Sequence, residues 1–236
     1  MRRCLILSAA LGTLLLPAAS SARSASVVRV RPTSSVTAVK AFDTTATITS
    51  GSWFAKAYRQ GFRLYVVHAT AWGTCTPWYR TEAQLGLALA AGLQVAAYTR
   101  DPRCWRAGIA AAGVYAARLQ FFALDIETDP GVPVTRDMVD GISAMGVRPV
   151  IYTGSGMWPA IMGSTTEFAD VPLWDTHTRD SIVPRAWVPN LFSPAPVQYA
   201  GWNTSATMRK GVQQAFEVSL GGVAVDLSSF DASFLR

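Results

Sequence analysis

"FFALDIETDP", residues 121–130, joins an apolar run to two closely spaced acids. Phe121 to Leu124 are apolar without alternation, the pattern of a strand buried on both faces, and the run then ends in Asp125 and Glu127. Residues two apart on an extended strand face the same side, with Cα atoms about 6.5 Å apart. Both carboxylates therefore look into one cleft while Ile126 packs outward. Two ionised carboxylates that close repel, so one holds its proton to higher pH. The pair then supplies a general acid beside an anionic stabiliser, the division of labour that glycoside hydrolysis needs. The plainer alternative is a polar lip where a buried strand meets water. Asp129-Pro130, further on, has the composition of a turn.

Working outward, short β-rich runs recur on both sides of this stretch. They are 39–43, 62–68, 93–99, 119–127, 147–153, 171–174, 196–199 and 222–227. The first five are separated by segments with helical apolar spacing, at 52–60, 82–91, 105–117 and 135–145. Gly92 stops the second of these, while Thr135 and Gly146 bracket the fourth as N-cap and C-terminal stop. Strand ends spaced by roughly 22 to 30 residues predict an α/β fold, an irregular TIM-like (β/α) barrel of eight strands, over an open doubly wound sheet. The last three connections hold little helical pattern, so the second half is expected to be irregular.

In such a barrel chemistry collects at the C-terminal ends of the strands. Those ends read Asp43; His68 and Thr70; Tyr98; Asp125 and Glu127; Tyr152; Trp174 with Asp175; Gln198 with Tyr199; and Asp226. Each taken alone also fits a cap, a rim position or a solvated loop. Their convergence on one mouth favours a functional cleft. The chain has eight Trp residues, of which Trp72, Trp78, Trp105, Trp158, Trp174 and Trp202 fall at or soon after strand ends. Flat faces there suit sugar rings, and core packing is the equal alternative for any one of them.

Composition sets the outer bounds. Of 236 residues 50% are hydrophobic and 15% charged, enough for one large core at 37–236. Residues 1–22, with Arg2 and Arg3, an apolar run and then small residues, have the pattern of a secretory signal peptide, and 23–36 that of a flexible lead-in. The protein is thus expected outside the cell or at the cell wall, a monomer with no membrane span once the signal is cleaved. The formal charge of +6 is scattered without a basic run, which suits an anionic surface such as a cell wall and disfavours nucleic acid. Cys75 and Cys104, an even pair in an exported chain, predict one disulfide; two buried free thiols are the alternative. Two His and two mature Cys offer no metal-ligand spacing, and no cofactor is expected. Gly154-Ser155-Gly156 lacks the flanks of a nucleophile elbow, and no P-loop or dinucleotide loop occurs. Asn203-Thr204-Ser205 is a glycosylation sequon.

The order "AFD" (41–43), "HATAWGT" (68–74), "AAGLQVAAYT" (90–99), "LDIET" (124–128), "VIYTG" (150–154), "PLWDT" (172–176), "VQYA" (197–200) and "VDLSSF" (225–230) resembles glycoside hydrolase family 25, the Chalaropsis-type N-acetylmuramidases. The resemblance runs from about residue 39 to 230. It implies a barrel of eight strands and about five helices that cleaves the β-1,4 bond between N-acetylmuramic acid and N-acetylglucosamine in peptidoglycan. Carried across, Glu127 matches the general acid and Asp125 its carboxylate partner. Asp43 and Asp226 match the other acids of the cleft, and Tyr98 a substrate-contacting tyrosine. Tyr152, Trp174 and Gln198 join them as expected substrate contacts from their strand ends. Spacing leaves Asp125 two roles, attack on the sugar or positioning of the substrate's acetamido group. The chain departs from the family at the second strand, where K-A-T-E-G is replaced by His68-Ala69-Thr70-Ala71-Trp72-Gly73. Two other functions fit the same residues: an inactive secreted glycan-binding protein on this barrel, and a hydrolase of another polysaccharide.

Overall fold

The structure, a computed structural model, describes residues 37–71, 73–176, 187, 198–203 and 208–236. The expected signal peptide and lead-in, Trp72 and most of the sequon lie outside these residues. The elements run β1 (Ala38–Thr44), α1 (Gly51–Arg59), β2 (Phe62–His68), α2 (Thr81–Ala90), β3 (Gln94–Thr99), α3 (Trp105–Ala111), β4 (Leu119–Asp125), α4 (Arg136–Ala144) and β5 (Pro149–Thr153). They continue with α5 (Trp158–Met162), β6 (Leu173–Thr176), β7 (Gln198–Tyr199), β8 (Trp202–Asn203), β9 (Arg209–Leu220) and β10 (Val223–Asp231). Eight strands close a barrel in the order β1-β2-β3-β4-β5-β6-β9-β10, while β7 and β8 pair only with each other.

The period-2 geometry of the strands explains the two cores. One face of each strand points into the barrel, where Ala41, Leu64, Val66, Ala96, Tyr98, Phe121, Ala123, Val150, Tyr152, Trp174 and Phe230 form one buried cluster. Phe121 stacks on Phe230, meets Trp174 edge to face and lies tilted against Phe234 within it. The alternate residues, among them Phe42, Tyr65, Val67, Val95, Ala97, Phe122, Leu124, Ile126 and Ile151, pack outward with the helices. Ile126 faces outward as its place between Asp125 and Glu127 predicts.

Two expectations are corrected. The helix read at 105–117 ends at Ala111 and gives way to a 3₁₀ segment, Gly113–Arg118. Gly113 has φ +52°, and a Cβ there would lie 2.2 Å from the Glu82 carboxyl carbon, so the helix breaks where only glycine fits. More consequentially, the seventh barrel strand is not 196–199 but β9, which pairs parallel to β6 and then turns at Gly221-Gly222 into antiparallel β10. The strand read at 222–227 is this β10, and it runs against β1 rather than with it.

Candidate active site

The inward column of each strand changes character at the top of the barrel. Ala41 is followed by Asp43, Leu64 and Val66 by His68, Ala96 and Tyr98 by Arg100, and Phe121 and Ala123 by Asp125 and Glu127. A cavity of about 230 Å³ opens there, lined by Asp43, Thr45, Tyr98, Arg100, Asp125, Glu127, Tyr152, Trp174, Gln213, Phe216 and Asp226. Both carboxylates of the Asp125/Glu127 pair reach it, as do Asp43 and Asp226. Asp43 and Asp226 sit directly opposite each other in the β1–β10 register. Asp226 comes near the start of an antiparallel strand, not from the end of a parallel one.

Gln198 does not join them. It lies exposed on β7, outside the barrel and away from the cavity. Its expected place is filled by Gln213 of β9, which donates from Nε2 to Asp226 Oδ2 (2.9 Å) and accepts at Oε1 from the Tyr152 hydroxyl. The backbone N–H of Glu217 donates to Asp226 Oδ1 at 2.8 Å. Asp175 is also turned to another use: it is buried, ion-paired with Arg209 (2.7 Å), and accepts from the Tyr199 hydroxyl (2.7 Å). Of the Trp residues, Trp174 lines the cavity, with Nε1 donating to Ser228 Oγ at 3.2 Å. Trp105, Trp158 and Trp202 belong to the outer core, and Trp78 packs against it and beside His68.

The electrostatics follow from burial. Asp43 and Asp125 are 6% and 4% exposed, and each has an Oδ1 that is buried without a hydrogen-bond partner. Desolvation pushes both carboxyls well above the usual carboxylate range; Asp226 and Glu127 add to it at Asp43, Glu127 and Asp43 at Asp125. Glu127 is also raised by burial, against the opposing pull of Arg100, and Asp226 is raised by burial against its hydrogen bonds from Glu217 and Gln213. A cluster of four such groups retains protons at pH values where isolated carboxylates have lost them. Tyr98 and Tyr152 are pushed up by burial and by the same carboxylates, so both remain neutral hydroxyls. His68 is pushed down to about 4, first by burial and then by Arg100, and is a neutral ring beside Tyr98.

The rim of the second and third strands is braced from outside. Cys75 and Cys104 form a disulfide, with Cα atoms 4.7 Å apart. The Thr70 and Thr99 hydroxyls bond to each other at 2.7 Å, joining the ends of β2 and β3. Among the described residues no cluster of His, Cys, Asp and Glu has the arrangement to hold a metal ion. No helix among them is long and apolar enough to cross a membrane.

The fold has counterparts among known proteins. The structure superposes on a muramidase from Trichobolus zukalii with a TM-score of 0.58, at 21% identity, over 82% of this chain and 94% of that one. A muramidase from Acremonium alcalophilum gives a TM-score of 0.55 at 24% identity, over 83% and 95%. The chain has the barrel fold of these muramidases. No protein-family model matches it. Two curated proteins of Dictyostelium discoideum align with 40% of the chain: "Counting factor 50", 26% identical over 95 residues, and "Probable GH family 25 lysozyme 3", 29% identical over 97. The chain spans 28% and 17% of their respective lengths. The resemblance to glycoside hydrolase family 25 read from the strand-end motifs thus holds as a likeness of fold, and the muramidase-like barrel places its acids at the expected mouth.

Arg100, Gln213, Phe216 and Thr45 line the cavity without having been anticipated. Arg100 carried a usable signal, since it lies two residues past Tyr98 and so shares its face. Gln213 was hidden because β9 was not recognised as a strand.

Proposed function

We propose that the protein is a secreted glycoside hydrolase, a lysozyme-like N-acetylmuramidase that cleaves the β-1,4 bond between N-acetylmuramic acid and N-acetylglucosamine in peptidoglycan. The observation that carries this reading is the meeting of Asp43, Asp125, Glu127 and Asp226 in one cavity walled by Tyr98, Tyr152 and Trp174. Glu127 is the general acid. Burial keeps its carboxyl protonated above the ordinary range, and it is the more accessible member of its pair, so it can reach a glycosidic oxygen. Asp125, buried below it, supplies the second carboxylate that faces the positive charge developing at the anomeric carbon. Asp43 and Asp226 accept hydrogen bonds from sugar hydroxyl and amide groups, and the neutral Tyr98 and Tyr152 hydroxyls donate or accept beside them. Trp174 forms part of the wall against which a ring packs.

The leader at residues 1–22 supports export, with 37–236 as the single catalytic unit acting as a monomer without cofactor. The likeness of fold to muramidases supports the choice of a peptidoglycan strand over another polysaccharide. Digestion of purified peptidoglycan, followed by reduction and mass spectrometry of the products, tests the substrate. New N-acetylmuramic acid reducing ends are expected. N-acetylglucosamine reducing ends, or an unaltered polymer, would refute the assignment.

A further inference from the structure

Glu127 lies two residues beyond the end of β4, where the sheet no longer fixes the chain. The backbone there is held by Ile126 N–H donating to Tyr152 O (2.8 Å) and by Gly131 N–H donating to Glu127 O (3.0 Å). Neither contact orients the Glu127 carboxyl. Arg100 does reach it. Its Nη2 lies 3.5 Å from Glu127 Oε2 and 3.6 Å from Asp129 Oδ2, and donates to the Asp129 carbonyl oxygen at 2.6 Å. One guanidinium thus joins the side chain of Glu127 to the backbone two residues further on, across the turn that ends the stretch. Arg100 is itself well supported: Thr99 is tied to Thr70, and Asp101 caps the short 3₁₀ turn Pro102–Cys104 that enters the disulfide.

We propose that Arg100 is a positioning residue, which clamps the Glu127–Asp129 segment and keeps the Glu127 carboxyl turned into the cavity. Among the residues lining that cavity it is the one cation facing four carboxylates. The charged and titratable groups coupled to Glu127 are Asp43 of β1, Arg100 just past β3, Asp125 of β4, Tyr152 of β5 and Asp226 of β10, with Asp129 on its own loop, while His68 of β2 feels the charge of Arg100. His68 is neutral near pH 7, so Arg100 supplies the positive charge that offsets the surrounding acids. It thereby limits how far burial, Asp226 and Asp129 raise the Glu127 carboxyl. Removing the guanidinium frees the carboxyl to turn and lets it hold its proton to higher pH.

The proposal rests on the hydrolase reading of the site, so its test includes a part that needs no substrate. The Glu127 carboxyl is titrated by carbon-13 NMR in the parent protein, in Arg100→Met and in Arg100→Lys. The midpoint should rise by about one pH unit in Arg100→Met, the size expected on loss of an opposite charge at this distance, and stay near the parent in Arg100→Lys. Arg100→Gln takes the place of the Met variant if that variant does not fold. On peptidoglycan, Arg100→Met should lose about tenfold in kcat with little change in KM, and its alkaline limb should move to higher pH. An unmoved Glu127 midpoint overturns the proposal, as does a Lys variant that titrates like the Met variant. A loss confined to KM also overturns it, because that would make Arg100 a substrate contact. If peptidoglycan is not cleaved at all but the midpoint moves as stated, the clamp stands and the hydrolase reading fails.

Discussion

The two halves of the barrel reach the same cavity by different routes. From β1 to β5, parallel strands alternate with helices, and each inward column reaches a polar or aromatic side chain at the top of its strand. Beyond β6 the described residues include the hairpin of β9 and β10, and the acid it delivers, Asp226, lies early in a strand running against β1. In the first half position follows from direction alone. In the second it is maintained by polar pairing, with Gln213 and the Glu217 N–H both donating to Asp226. A barrel rim can thus be completed by an antiparallel strand when a buried hydrogen-bond network holds its carboxylate in place.

Between the two halves, the larger effect is expected at Asp125, on the regular side, because it is the deeply buried partner of Glu127. Asp125→Asn should raise the barrier by at least about 2.7 kcal/mol, a hundredfold in rate. Near-parental turnover on peptidoglycan would remove Asp125 from the machinery. At the hairpin, Asp226→Asn keeps the shape and one acceptor, and should cost about tenfold in kcat/KM, about 1.4 kcal/mol. A loss there exceeding that of Asp125→Asn would invert the ranking of the two halves.

A smaller effect follows from linkage. The Asp43 carboxyl is raised above its unfolded value, so the folded state binds its proton more tightly. Its contribution to stability is full below the ordinary value of 3.8 and is lost as pH rises through the folded value. At pH 7 the group is a buried liability. Asp43→Asn should therefore stabilise the fold by about 1 kcal/mol near neutrality, with the gain vanishing below pH 3.8. Chemical denaturation at the two pH values measures this; a destabilised variant at pH 7 would mean that the Asp43 carboxylate is held by favourable contacts instead.

The same division marks what could be read from the sequence. The runs at 62–68, 93–99 and 119–127 were legible because strands buried on both faces are almost wholly apolar. The acids of the first four strand ends were legible because parallel strands place function at one end. β9 was not, since Arg209, Gln213 and Gln214 interrupt its apolar pattern although all three are buried. Arg209 pairs with Asp175, Gln213 with Asp226 and Tyr152, and Gln214 with Ser229. Such pairing exists only after folding, and a single sequence does not display it. The local clue was Gly221-Gly222 between two β-rich runs, a hairpin signal. Gln198 was misplaced for the matching reason: "VQYA" has a strand's composition but forms a two-residue ribbon with Trp202–Asn203. Asp226 lines the cavity, but from a strand that runs opposite to the direction its sequence position suggests.

In the proposed reaction Glu127 donates the proton that breaks the glycosidic bond. Glu127→Gln retains the shape of the side chain and removes the proton it would transfer. Turnover of peptidoglycan by this variant, measured as new reducing ends beside a folded-state control by circular dichroism, is the most direct test. A loss of about a thousandfold or more is expected if Glu127 is the proton donor, within the usual range for a general acid. A folded Glu127→Gln protein that releases N-acetylmuramic acid ends at a rate near the parent's would contradict that role.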